Sequence, residues 1–306
     1  MAHMTNPLAT PDQLFQRRSL GALPIELQDT IFFATQCLTQ AAGLLLELPQ
    51  TVTAQANVLL ARYWLVEPMM AHEFSDVSAA TIYLTSKLSA TPRPPRDICN
   101  VYAYLLSPSS SLFHNPSAPP PPNTPAAYYL SESAYAAARA RLLALEARVL
   151  YALAFDTHVA LPHPLAVTYL QALDFLGAGR EKIAGRAVGY LNAALLSPQM
   201  LYLTSQPNAL AVAAVYNAAR DVGAKMPECE WWEVFDVERE ELGFLVVGMR
   251  SVEGWGKTVR EDLRGMGVEK GMLRRRNVEA RLGGGDAEEE ATRRMDEKMA
   301  ELEAGA

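Results

Sequence analysis

Apolar residues recur at spacings of three and four along most of residues 24–249, which is the pattern that amphipathic helices produce. Prolines such as Pro24, Pro49 and Pro68 stand where one apolar stripe gives way to the next, as they do where helices begin or end. No segment shows convincingly the alternation of apolar and polar positions that is typical of a half-buried strand. The pattern therefore predicts an all-α protein.

The most informative stretch is residues 76–106, in which two helical patterns flank a proline-rich turn. The apolar positions of the first pattern are Val77, Ala80, Leu84 and Leu88. Lys87 lies within or beside that apolar face. In one interpretation, the aliphatic stem of Lys87 lies along the core and its ammonium group stays in water. On the pattern alone, this structural interpretation and a functional role are equally well supported.

A second charged residue lies on an apolar stripe in the helix predicted over residues 133–154. Glu146 is four residues from both Leu142 and Leu150. An ionised carboxylate among apolar side chains is costly without a donor or an opposite charge, so it must either reach water at the helix edge or meet a cation. Lys87 and Glu146 are therefore candidates for one pair.

The helical pattern repeats after residue 158, which suggests an internal duplication of a five-helix unit. Three further stretches follow in similar order, over residues 164–176, 180–196 and 207–222, and Ala-Thr-Ile-Tyr at 80–83 has an echo in Ala-Ala-Val-Tyr at 213–216. The predicted organisation is an extended N-terminal arm over 1–23, a first repeat over 24–157, a second repeat over 158–253 and a charged, flexible C-terminal tail over 254–306. Residues 1–4 are interpreted as a vector-derived remnant. A proline- and serine-rich insertion loop is expected at 107–130.

Composition limits the classes of partner. A chain of 306 residues, 50% hydrophobic and 20% charged, can bury one or two substantial cores. Its net charge of -7 gives no global attraction to nucleic acid or to an anionic membrane, so neither is expected as a direct partner. No apolar run approaches the roughly 18 residues that a membrane span needs. Cys37, Cys99 and Cys229 are widely spaced and are interpreted as small buried side chains in a reducing compartment.

Catalytic and cofactor motifs are missing from the sequence. Gly256-Lys257-Thr258 resembles the end of a phosphate-binding loop, but the glycine required at position 251 is Ser251 and no strand precedes it. Neither the histidines nor the cysteines show metal-ligand spacing, and the acidic pairs Asp97 with Glu146 and Asp174 with Glu181 are interpreted as solvated rather than catalytic. We therefore expect no catalytic residue, no cofactor and no metal, and the protein is not expected to be an enzyme.

The sequence also contains several distinctive motifs: Ser86-Lys87-Leu88 followed by Thr91-Pro92-Arg93 and the run 96–101, Leu48-Pro49-Gln50, the run 146–150 with Phe155-Asp156, the runs 158–164 and 169–173, and Trp231-Trp232 within 231–235. Together these motifs resemble the cyclin family, in particular its transcriptional members and most of all the cyclin L group, with similarity also to cyclins K and Q/M. The resemblance covers residues 20–249. It implies tandem cyclin-box repeats of five helices each.

The resemblance also implies a function and a site. It implies a regulatory subunit that binds a cyclin-dependent kinase as a heterodimer, that is nuclear, and that activates the kinase in RNA polymerase II transcription or pre-mRNA processing. In the family the matched lysine and glutamate contact the regulatory helix of the kinase, so Lys87 and Glu146 are expected to bind the kinase, with Leu88 as the neighbouring apolar contact. Catalysis then belongs to the partner.

This sequence departs from the family pattern after the lysine. Two acidic residues often follow it in cyclins, and Ser89 and Ala90 stand there instead. The arginine-serine-rich tail of cyclin L is also missing from this sequence. Two other classes stay open at this point: a cyclin-fold DNA-binding factor of the general transcription factor type, which a basic groove between the repeats would indicate, and a helical scaffold without a kinase partner.

Overall fold

A computed structural model describes residues 4–19, 23–107, 110, 129–177, 181–266 and 272–283. Within these ranges every regular element is a helix, which confirms the all-α prediction. The described part of the chain contains no helix that is both long and apolar enough to cross a membrane. Most of the predicted insertion at 107–130, and the end of the predicted tail beyond residue 283, lie outside the described residues.

Most helices follow one another with short connections, apart from residues 106–131, which contain the predicted insertion. They are α1 (Pro11–Ser19), α2 (Ile25–Leu45), α3 (Gln50–Val66), α4 (Phe74–Leu88), α5 (Pro95–Leu105), α6 (Glu132–Ala152), α7 (Pro162–Ala172), α8 (Glu181–Ala194), α9 (Leu201–Thr204), α10 (Pro207–Val222), α11 (Arg239–Gly265) and α12 (residues 275–283). Short 3₁₀ helices at Met69–Ala71 and Glu233–Phe235 precede α4 and α11.

The first repeat is built around α4. This helix packs against α2, α3 and α6, and small residues on it, among them Ser78 and Ala80, are fully buried. Small side chains let neighbouring helices approach closely, while larger ones such as Phe74 and Ile82 fill the spaces between them. The C-terminal end of α4 is thereby held in a fixed position against α6.

The second repeat is built in the same way around α10. Residues 209–215 of this helix are buried, and the helix packs against α7, α8 and α11. In the first repeat, the helix α5 follows the central helix α4. In the second repeat, the central helix α10 is followed instead by the 3₁₀ turn Glu233–Phe235, which lies within an aromatic cluster. In this cluster Trp231 is stacked on Tyr216, and Phe235 lies 4.1 Å from Tyr169 between ring centroids. In chain order, packed aromatic side chains therefore take the place of the helix α5.

The N-terminal arm was predicted to be extended, and this was wrong over Pro11–Ser19, which form α1. Thr10 Oγ1 accepts a hydrogen bond from the Gln13 backbone N–H at 3.2 Å, while the Gln13 side chain accepts one from the Thr10 N–H at 2.9 Å. This is a reciprocal capping box, and with proline at the first helical position it starts a helix. The signal was present in the sequence.

Asn6 ties the arm to the body of the protein. This residue is buried, and its side chain donates to the Ala160 carbonyl and accepts from the Ala160 N–H, each at 2.8 Å. Its backbone exchanges two further hydrogen bonds with the Gln206 side chain, each at 3.0 Å. The arm therefore lies against the second repeat, while α1 packs against α3 of the first.

The structure also differs from the expected start of a flexible tail at residue 254. Helix α11 continues to Gly265 with Val259 and Leu263 buried, and Leu273 and Val278 are fully buried beyond it. These apolar residues are sparse among charged ones. The mean hydropathy of the segment is therefore polar, although one face of it is apolar. The other proposed boundaries, at 23 and 157, stay predictions.

Polar side chains join the two repeats at their common boundary. A chain of hydrogen-bonded side chains runs through Gln36, Asn57, Gln40, Gln50, Asn192 and His163. Its central link is the Gln50 amide, which lies 3.1 Å from the Gln40 oxygen and 2.9 Å from the Asn192 oxygen.

The three cysteines were expected to be buried. Cys99 is buried, but Cys37 is half-buried, and Cys229 is exposed because it lies in the loop after α10.

Candidate functional site

Lys87 lies in the last turn of α4, with its side chain half exposed. A cation at the C-terminal end of a helix interacts favourably with the helix dipole. Leu88 ends the helix and is 60% exposed, and the Ser89 hydroxyl then accepts a hydrogen bond from the Thr91 N–H at 3.0 Å. The chain therefore turns sharply after Leu88 and leaves this apolar side chain at the surface.

Glu146 lies on α6 opposite this end of α4. Its side chain is only 9% exposed, and it shares its face of the helix with buried Leu142, Leu145 and Val149. Lys87 Nζ donates a hydrogen bond to Glu146 Oε1, which makes an ion pair between the two helices. The sequence left two possibilities for this carboxylate, contact with water or contact with a cation. The structure shows contact with a cation.

The electrostatics of the pair leave hydrogen-bonding capacity for a partner. The hydrogen bond with Glu146 raises the pKa of Lys87, against an opposing effect of partial burial. The ammonium group also lies 5.1 Å from the centroid of the Tyr83 ring, within the range of a cation–π interaction. An ammonium group has three N–H donors and Glu146 takes one, while the Glu146 Oε2 atom has no hydrogen-bond partner among the described residues.

One feature at the C-terminal end of α6 was not predicted. Tyr151 and Phe155, both more than half exposed, form an edge-to-face pair with ring centroids 5.4 Å apart at the C-terminal end of α6. Phe155 has a φ of 62°, which turns the chain out of the helix and displays the ring. Phe155-Asp156 was part of the resemblance, but no role was assigned to it, because an isolated exposed aromatic residue has no signal in a helical pattern.

The described residues contain no group of three or more histidine, cysteine, aspartate or glutamate side chains arranged to hold a metal. Lys87 and Leu88 at the end of α4, together with Glu146 on α6, combine an ion pair with an exposed leucine. Chemically this surface can bind another protein through charge-assisted hydrogen bonds and apolar contact.

An uncharacterised cyclin-L1-like protein of Schizosaccharomyces pombe is 31% identical to this chain over 231 residues, which cover 72% of this chain and 84% of that protein. The chain belongs to the cyclin L family. Human cyclin-L1 is 32% identical to this cyclin over 206 residues, which are 67% of this chain and 36% of the human protein. This cyclin therefore matches little more than a third of the human relative's length. No protein-family model matches the chain.

Solved structures share the fold of this chain. A chain of the yeast RNA polymerase II CTD kinase CTDK-1 complex superposes with a TM-score of 0.64 at 14% identity, covering 88% of this cyclin and 86% of that chain. A chain of the CAK complex from Chaetomium thermophilum gives 0.56 at 15% identity, covering 83% and 81%, and a viral cyclin from herpesvirus saimiri gives 0.53 at 14%, covering 79% and 94%. These likenesses confirm the predicted tandem cyclin fold.

Proposed function

We propose that this cyclin is the regulatory subunit that binds and activates a cyclin-dependent kinase acting in RNA polymerase II transcription or pre-mRNA processing, in the nucleus. Membership of the cyclin L family carries the proposal. The names of two solved complexes that share the fold, a polymerase CTD kinase and CAK, agree with a kinase partner. This chain is not an enzyme in the proposal, since phosphoryl transfer belongs to the kinase.

Lys87, Leu88 and Glu146 are the residues we propose for kinase binding. The internal ion pair holds both charged groups in place before binding, which reduces the entropy lost when a partner docks. The unused N–H donors of Lys87 and the Glu146 Oε2 atom can then bind polar groups of the kinase's regulatory helix, and Leu88 can bury its exposed side chain beside them. A kinase whose regulatory helix is held inward keeps its catalytic lysine–glutamate pair formed, which is the basis of activation.

The DNA-binding alternative is not favoured. The relatives that match over most of the cyclin boxes are cyclins of the L type, and the protein as a whole carries a net charge of -7. Binding DNA through phosphates requires clustered cations that release counterions. A basic cleft does exist, with its cations on α8 and α11 of the second repeat and Phe33 of the first repeat at its base, but most of these cations are already paired with carboxylates.

Affinity capture tests the proposal. Tagged wild-type protein and the Lys87→Glu variant are incubated with native extract, and the retained kinases are identified by mass spectrometry. We expect one cyclin-dependent kinase with wild type and its loss with Lys87→Glu, because that change places two carboxylates together and removes the cation offered to the partner. The captured kinase is then purified alone, and its activity on a peptide of the polymerase C-terminal domain is measured with and without this cyclin.

The matched control is Arg141→Ala. Arg141 in the middle of α6 pairs with Asp76 near the N-terminal end of α4 at 3.0 Å, so it joins the same two helices away from Lys87. This variant should capture and activate the kinase like wild type. If no cyclin-dependent kinase is retained by the wild-type protein, or if the purified kinase is not activated, the proposed function is wrong.

A further inference from the structure

A cleft of about 1040 Å³ lies between α8 and α11 in the second repeat. Its floor is apolar and includes Met249 and Val252 of α11 together with Phe33, which reaches in from α2 of the first repeat. Phe33 is itself buried against Trp255, with ring centroids 5.1 Å apart. The cleft therefore has a firm apolar base that both repeats form.

The walls of the cleft are basic. Its cations are Lys182, Arg186, Arg250, Lys257 and Arg260, and its carboxylates are Asp221 and Glu253. Five positive charges against two negative ones leave an excess of three positive charges, in a protein whose net charge is -7. The cleft is thus a local reversal of the overall charge.

Part of this positive charge is already neutralised within the protein. Asp221 accepts from Arg250 at 2.6 Å and from Arg186 at 3.2 Å, and Lys257 pairs with Glu253 at 3.0 Å. In the part of the chain that the structure describes, Lys182 and Arg260 have no ion-pair partner within 4 Å. These two side chains stand on the two helices that flank the cleft and are exposed. They are the cations most available to a ligand.

Two glycines keep the α8 wall open. Gly185 and Gly189 are one turn apart, both line the cleft, and nothing lies within 4 Å of the position that a Cβ would take at either residue. A partner backbone can therefore approach α8 closely at this wall. From Lys182 to Ala193 the wall extends about 17 Å at 1.5 Å per residue, which matches about three turns of another helix.

We propose that this cleft binds an acidic, amphipathic helical segment of a partner protein, at a surface separate from the Lys87–Glu146 pair. Apolar side chains of that segment would pack against Tyr190, Ala193 and Leu196, which line the cleft and are only partly buried. Its carboxylates would meet Lys182 and Arg260. Nucleic acid fits less well, because the two cations without an ion-pair partner among the described residues are few for a phosphate backbone, which carries a charge at every nucleotide, and the Phe33 ring is buried and cannot stack on a base.

The test uses a fluorescein-labelled synthetic helix of alanine, leucine and glutamate, about three turns long, and measures its binding to the full chain by fluorescence anisotropy. A second peptide carries glutamine in place of every glutamate. We expect the acidic peptide to bind at least tenfold more tightly than the glutamine peptide, and its affinity to fall as salt is raised.

Gly189→Leu is the decisive variant, since nothing lies within 4 Å of the Cβ position at Gly189 and the change replaces glycine within a helix. We expect its melting temperature to equal or exceed that of wild type, and its affinity for the acidic peptide to fall at least tenfold. Gly254→Leu is the matched control: nothing lies within 4 Å of its Cβ position on α11 either, and it does not line the cleft. Lys182→Glu combined with Arg260→Glu should also abolish binding without unfolding the protein.

Several results would overturn the proposal. They are failure of the acidic peptide to bind wild type, equal binding by the Gly189→Leu variant, and tighter binding of a single-stranded RNA or a DNA duplex that the same variants remove. Binding that occurs only after removal of residues 284–306 would assign the cleft instead to the chain's own acidic segment. Because Lys87→Ala should leave peptide binding unchanged, failure here is distinguishable from failure of the proposed kinase surface.

Discussion

Replacing Lys87 by alanine separates the two roles of the ion pair, in folding and in binding. Removing one partner of a fully buried pair costs about 3–5 kcal/mol, whereas an exposed pair contributes about 0–1 kcal/mol. The Glu146 side chain is 9% exposed but that of Lys87 is 50% exposed, so the pair lies between these limits and solvent screens part of the interaction. We therefore expect Lys87→Ala to lower the free energy of unfolding by about 1–2 kcal/mol.

The effect on kinase binding should be larger than the effect on folding. If Lys87 is an anchor of the interface, its removal should weaken binding by about 2 kcal/mol or more, which is about 30-fold in Kd. The same holds for Glu146→Gln, which keeps the shape of the side chain and removes its charge. Denaturant unfolding of the isolated cyclin gives the first quantity, and isothermal titration with the captured kinase gives the second.

The double reversal, Lys87→Glu with Glu146→Lys, distinguishes an internal pair from an interface. The variant can re-form an ion pair between α4 and α6, so it should be more stable than either single reversal. Its charges would face the kinase in exchanged positions, so its kinase affinity should stay low. The control Arg141→Ala should bind the kinase like wild type. Wild-type affinity in Lys87→Ala, Glu146→Gln and the double reversal would refute the proposed surface, and rescue of binding by the double reversal would reduce the pair to an internal salt bridge.

Three further predictions concern folding. Leu273→Ala should lower the free energy of unfolding by about 2–5 kcal/mol, because Leu273 is fully buried, and ending the chain at residue 253 should cost more, whereas a chain ending at Gly283 should melt like wild type in differential scanning fluorimetry. Asn6→Ala should cost about 2 kcal/mol in urea unfolding, because it leaves the buried N–H and carbonyl groups of Ala160 without their partners; an unchanged midpoint would mean that the arm is not docked in solution. Burial lowers the pKa of His163 below its ordinary value of 6.5, and the Nδ1 atom is buried with no hydrogen-bond partner among the described residues, so the stability that neutral His163 contributes should be present above pH 6.5 and be lost as the pH falls below it. His163→Gln should show a smaller loss between pH 7 and pH 5, and equal slopes for both proteins would contradict this.

The sequence by itself determined the helices, the repeat and the two charged residues of the candidate site. A helix is specified by local spacing, so the stripes around α4 and α10 were legible without any tertiary information. Lys87 and Glu146 stood out because a charge on an apolar stripe is anomalous locally. The cost of burying a carboxylate alone left two outcomes for Glu146, water or a cation, and only the structure decided between them. The capping box at Thr10 was equally local and was overlooked.

Tertiary structure decided what depends on residues far apart in the chain. Lys182 and Arg260 are ordinary surface cations in the sequence, and only the packing of α8 beside α11 places them on one cleft above Phe33. The burial of Leu273 could not be predicted from the sequence for a related reason. A few apolar residues among many charged ones become buried only if another part of the protein provides an apolar surface to pack against. Hydrophobic periodicity shows which face of a helix is buried, but the partner of that face is set by long-range packing, which no local pattern records.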